Sequence, residues 1–221
     1  MVRKKSRKSK NEKRLEKELL YILGFMVFLI ILFVFASSIF KGFNTFEYEG
    51  MTFTKERLGE IPFYHYYYLF TNKDNVLVQY NLYLRNDPRE NEIPIFGDEI
   101  FLEENKAVYM TVEKNEELNV CPYGVLGVTN LISFLGDNDY VVEGGNPDFH
   151  SAKENNETWV NCETHKYNPV VKVVKGDVSQ ITVEGNCYEI SVASCEDFLL
   201  STEKFTLQIL IDARERLGLN D

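Results

Sequence analysis

LLYILGFMVFLIILFVFASSIF, residues 19–40, runs for 22 positions without a charged side chain. At about 1.5 Å rise per residue, a helix of that length is roughly 33 Å long, enough for the ~30 Å hydrocarbon core of a bilayer. Helix is the expected state, because a segment in lipid must satisfy its own backbone hydrogen bonds. Tyr21 near one end, and Phe40 with Lys41 near the other, suit the headgroup region, where rings and ammonium groups reach polar partners. Gly24 and Ser37 are small contact points for a neighbouring helix, but they form no repeated small-residue ridge.

What flanks this run sets its direction. Residues 1–18 carry nine Lys or Arg and three Glu, a net of +6. The chain from Lys41 onward carries 15 basic and 31 acidic residues, a net of −16. Basic residues beside a spanning segment are retained on the cytoplasmic side, so the expected layout has three parts. Residues 1–18 form a cytoplasmic tail, 19–40 a single-pass signal anchor, and 41–221 an extracytoplasmic domain of the cell membrane. Cleavage of the run as a signal peptide, with Ala36 and Ser38 as the small residues, is the competing reading. The run exceeds the usual 7–15 apolar residues of such a signal, and the leader is long. The expected lipid partners are the bilayer itself and, for the tail, anionic headgroups. Nucleic acid is not expected, because the tail has no aromatic residue before Tyr21 on which a base would stack.

All four cysteines, Cys121, Cys162, Cys187 and Cys195, lie in the body. An even set in an exported domain reads as two disulfides, with three possible pairings. The pairing favoured here is Cys162 with Cys187 and Cys121 with Cys195: the latter two each precede an expected helix, and the former lie in a strand-rich region. Zinc at Cys162 and His165 lacks the second close ligand pair of a structural site. Asp137, Asp139 and Glu143 lack the oxygen-ligand spacing of a calcium loop. No metal and no cofactor are expected.

Period-two alternation marks the clearest hairpin. FYHYYYLF, residues 63–70, is followed by a polar turn at Thr71–Asn75 and a second strand from Val76 to Leu84. There Val76, Val78, Tyr80, Leu82 and Leu84 point one way, and Gln79, Asn81 and Tyr83 the other. A strand is expected over Phe43–Phe53, a turn over Lys55–Glu60 and another strand over Ala107–Val112. Helical spacing follows over Cys121–Leu135, with Pro122 at its first turn. Tyr140–Glu143 reads as a short strand and Gly144–Thr158 as a polar surface loop. Val170–Val174, Gln180–Glu184 and Cys187–Val192 read as an antiparallel meander. A helix over Cys195–Leu217, capped by Ser194, closes the chain. The expected class is α+β: an N-terminal transmembrane helix, then a mixed or antiparallel sheet packed with two helices, or two subdomains meeting near residues 144–158.

The chain shows no phosphate-binding glycine loop, nucleophile elbow, His-Glu-x-x-His or redox Cys-x-x-Cys. His65, Tyr66, Tyr67 and Tyr68, with Trp159, form a candidate aromatic binding patch, because tyrosine joins apolar area to a hydroxyl. The competing reading fills a sheet with these rings on both faces. Asn156-Glu157-Thr158 matches the glycosylation acceptor pattern. His150 lies in a candidate binding loop. The reading that follows is a membrane-anchored binding or assembly module with a protein partner on the exported side, and no enzyme. A membrane-bound hydrolase of cell-envelope material, or a structural subunit of a membrane complex, are the alternatives.

Overall fold

A computed structural model describes residues 10–219; for residues 10–16, 36–43 and Asn119 it describes the backbone alone. Residues 1–9 of the basic tail lie outside the described residues. Two compact units are present, residues 1–46 and 47–221.

The first unit is dominated by α1 (Lys10–Asn44), 35 residues long. It starts inside the basic tail, where Lys, Arg, Glu and Leu are all good helix formers and no proline intervenes. Within it, Lys17–Phe35 is apolar and long enough to cross a membrane, and every side chain of that stretch is exposed. The chain is a membrane-anchored protein with a folded α+β domain.

The second unit is entered partway along a strand, β1 (Thr45–Tyr48). With β2 (Met51–Leu58), β3 (Ile61–Thr71) and β4 (Leu77–Leu84) it makes a four-stranded sheet in that order. The expected single strand from Phe43 is thus two strands. Glu49 and Gly50 both have positive φ, 48° and 68°, the geometry of the tight turn whose twist matches a hairpin. The expected turn over Lys55–Glu60 is confined to its last two residues, Gly59 and Glu60, and β2 continues through Leu58. Tyr64 pairs with Leu84, and the antiparallel register runs on to Thr71 and Leu77.

β5 (Ile95–Gly97), β6 (Val108–Val112), α2 (Glu116–Asn119), α3 (Pro122–Asp137), β7 (Val142–Gly145), α4 (Phe149–Asn155), β8 (Val170–Lys175), β9 (Gln180–Glu184), β10 (Cys187–Val192) and α5 (Cys195–Arg216) complete the domain. Among its described residues the body therefore has two long helices and two short ones. Residues 144–158 hold the end of β7 and all of α4, where a plain loop was expected. Asp148 accepts from the Ser151 N–H and so starts α4.

The second sheet is mixed, in the order β5-β9-β10-β8-β6-β7. Here the expected meander is corrected. β9 pairs with β10 antiparallel, but β8 pairs with β10 parallel, on its other side. The chain after β8 crosses the end of β10, where the Gly176 N–H donates to the Val192 carbonyl at 3.1 Å. A Cβ at residue 176 would collide with the Ser191 hydroxyl, so a larger residue there would displace that side chain from its bond to the Val178 carbonyl.

α3 and α5 lie between the two sheets. Tyr188 of β10 meets Phe205 of α5 with ring centroids 5.7 Å apart. On the other side, Leu82 and Leu84 of β4 line a small cavity with Leu131, Phe134 and Thr206. α5 is accordingly buried nearly all round, from Phe198 to Asp212, as a helix enclosed between layers must be. One carboxylate clamps it to the first sheet: Glu203 accepts from the backbone N–H of Arg85 at 2.6 Å and of Asn86 at 3.3 Å, and from Asn86 Nδ2 at 2.8 Å.

Candidate functional site

The period-two pleat divides the run of aromatics at 64–68 between two faces. Tyr64 and Tyr66 are buried, and Tyr68 is half-buried on the same side. His65 and Tyr67 face outward, Tyr67 being 59% exposed. His65 stacks on Tyr83 at 4.5 Å, with Nδ1 3.0 Å from Glu56 Oε1 and Nε2 3.1 Å from Asn81 Oδ1. Trp159 belongs to a different region, edge-on to Phe149 at 5.1 Å, and its Nε1 donates to the Pro147 carbonyl. The five residues of the candidate patch thus occupy three separate places.

The inward tyrosines lead to a concavity that these residues alone do not define. Three adjoining cavities of about 480, 540 and 220 Å³ share Tyr140 in their walls. The first lies among Asn72, Lys73 and Asn75 of the β3–β4 turn, Glu104 and Asn105, and Asn138 and Asp139 after α3. In the second, Phe101–Glu104 face Ala213, Arg216 and Leu217. The third is mainly apolar, with Tyr66, Tyr68, Phe70 and Phe134 against Ile209 and Leu210.

A local network holds this surface in shape. Tyr68 Oη donates to Asn138 Oδ1 at 2.6 Å, and Asn138 Nδ2 donates to the Phe134 carbonyl at 2.8 Å. Asp139 Oδ2 accepts the Lys73 N–H at 2.8 Å, tying the hairpin tip to the end of α3. Arg214 spans the floor, donating to Tyr66 Oη, the Gly50 carbonyl and the Leu219 carbonyl. Asn75, Asn105 and Asp139 all have positive φ, 58°, 67° and 66°, and all line the first cavity. Asparagine and aspartate tolerate this conformation, and clusters of it are common at binding loops.

Burial raises the hydroxyl pKa of Tyr68, and burial with the nearby Glu104 charge raises that of Tyr140. Both therefore stay protonated at neutral pH. The surface offers neutral hydroxyls and amides above aromatic rings, with carboxylates and Lys73 at the rim. Among the described residues, no three His, Cys, Asp or Glu come together to hold a metal ion.

Two disulfides brace the domain. Cys121 is bonded to Cys195 and Cys162 to Cys187, each with Cα atoms 5.5 Å apart. The first joins the starts of α3 and α5; the second joins the segment before β8 to the start of β10. Such bonds fit an extracytoplasmic setting. Asn156 is exposed, in left-handed conformation at the end of α4. His150 touches Phe149, and His165 lies against Tyr109 at 4.2 Å.

The signal for Tyr140 was weak in the sequence, because its cavity is assembled from four segments far apart along the chain. No family model, curated protein or solved structure matches the chain.

Proposed function

We propose that this chain is a single-pass, signal-anchored binding module whose body, residues 41–221, lies outside the cytoplasm and holds a glycan chain at the Tyr140 concavity. The observation that carries the reading is the convergence of three cavities on Tyr140. Rings of Phe70 and Tyr140 supply flat apolar area. Asn72, Asn75, Asn105, Glu104 and Asp139 supply the amides and carboxylates that a polyhydroxylated ligand hydrogen-bonds. An acidic body, −16 from Lys41 onward, repels polyanions and leaves a neutral ligand favoured. The basic tail supports a cytoplasmic N-terminus resting against anionic headgroups. His65, His150 and His165 line none of the three cavities, whereas the carboxylates of Glu103, Glu104 and Asp139 do.

The test is a glycan array probed with the full chain in lipid nanodiscs. Tyr140→Ala and the double change Glu104→Ala with Asn105→Ala are each expected to weaken the captured glycan at least tenfold. Absence of any bound glycan, or binding indifferent to both variants, would refute the assignment.

A further inference from the structure

β4 ends the four-stranded sheet, with β3 as its one strand neighbour. Among the described residues no backbone hydrogen bond reaches its outer edge, and no second strand pairs with it. The hairpin fixes which residues point that way. The Asn72 N–H donates to the Val76 carbonyl at 3.0 Å, so alternation places the hydrogen-bonded pairs with β3 at Phe70 with Val78, Tyr68 with Tyr80, and Tyr66 with Leu82. Leu77, Gln79, Asn81 and Tyr83 consequently turn their own N–H and C=O groups to the open edge.

Natural edge strands are blunted by charge, proline, a bulge or brevity. LVQYNLYL, residues 77–84, has no charge and no proline, in a chain of net charge −10, and it is eight residues long. It also matches itself when reversed about Tyr80. Gln79 then faces Asn81, Val78 faces Leu82, and Leu77 faces Tyr83. An antiparallel pairing in this register sets amide against amide and apolar side chain against apolar side chain. It also matches each outward-bonding residue with an outward-bonding residue of the other copy, which the hydrogen-bond ladder requires. At the two ends, the exposed Asp74 of one hairpin comes beside Arg85 of the other copy, opposite in charge.

We propose that the β4 edge is occupied by a second copy of this chain, paired about a twofold axis through Tyr80. The two four-stranded sheets become one eight-stranded sheet, with Tyr67, Leu69 and Tyr83 of both copies on a single side. Leu77, 66% exposed in one chain, is covered by Tyr83 of the other. Confinement of both copies to one membrane raises their effective concentration, so a short interface suffices. The dimer does not depend on what the Tyr140 concavity binds.

Native mass spectrometry of the full chain released from mild detergent tests it. The wild type is expected at twice the 25.7 kDa chain mass. Gln79→Lys combined with Asn81→Lys sets lysine against lysine twice across the axis, and should drop the mass to a single chain. Gln79→Lys combined with Asn81→Glu sets lysine against glutamate twice, and should keep the double mass. Both variants alter the same two exposed positions. Because residue 79 faces residue 81, oxidised membranes carrying Gln79→Cys and Asn81→Cys chains together should also yield a covalent dimer that Gln79→Cys chains alone do not. A monomeric wild type overturns the proposal, as does a Lys/Lys variant that stays dimeric, a Lys/Glu variant that becomes monomeric, or no cross-link in the mixture.

Discussion

Glu203 is the residue on which two layers meet, and it is 4% exposed. Burial pushes its carboxyl from 4.5 up to about 7, against the opposing hydrogen bonds from Arg85 and Asn86. The folded state therefore holds this proton over a pH range in which the unfolded chain has released it. Its contribution to stability is full below pH 4.5 and is lost as pH rises toward 7, a fall on the order of 3 kcal/mol. Urea unfolding followed by the single tryptophan, Trp159, should show that decline in the wild type and a much flatter profile in Glu203→Gln. Equal slopes in the two proteins would remove Glu203 as its source. At this same scale the candidate patch shows what sequence does and does not convey. Alternation alone separates His65 and Tyr67 from Tyr66 and Tyr68, so the two-faced strand is legible in residues 63–70. Nothing in the sequence brings Asn138 to the Tyr68 hydroxyl, 70 positions away.

Between elements, the pattern was legible wherever contacts are local. β3 and β4 follow from alternation joined by a polar turn, and α3 from Pro122 and helical spacing. β8 and β10 were not, as to partner. Both are buried apolar strands, and such runs carry no mark of which neighbour they take or in which direction. α4 was hidden by its polarity; seven residues are too few to show a period. The Cys121–Cys195 bond couples the two long helices across 74 positions, and Cys162–Cys187 closes 25. In the chain-entropy account both are worth a few kcal/mol, the longer loop about 1 kcal/mol more. Replacing Cys121 and Cys195 by serine should therefore lower the unfolding free energy more than replacing Cys162 and Cys187. The reverse order, read from urea midpoints at constant slope, would show that native packing and not loop length governs their contribution.

For the whole molecule, direction in the membrane is the property on which the rest depends. Protease added to intact cells should digest residues beyond about 47 while leaving the basic tail joined to α1; a protected body with a digested tail would reverse the assigned orientation. The layering has a consequence for the order in which the chain is made. α1 and the first sheet leave the ribosome early, but α5, which shares the inner side of that sheet with α3, begins 111 residues after β4 ends. At ~5–20 residues per second, Met51, Phe53 and Tyr66 wait on the order of ten seconds for α5. A nascent domain tethered beside its synthesis site thus spends that interval with the inner side of its first sheet only partly roofed, by α3.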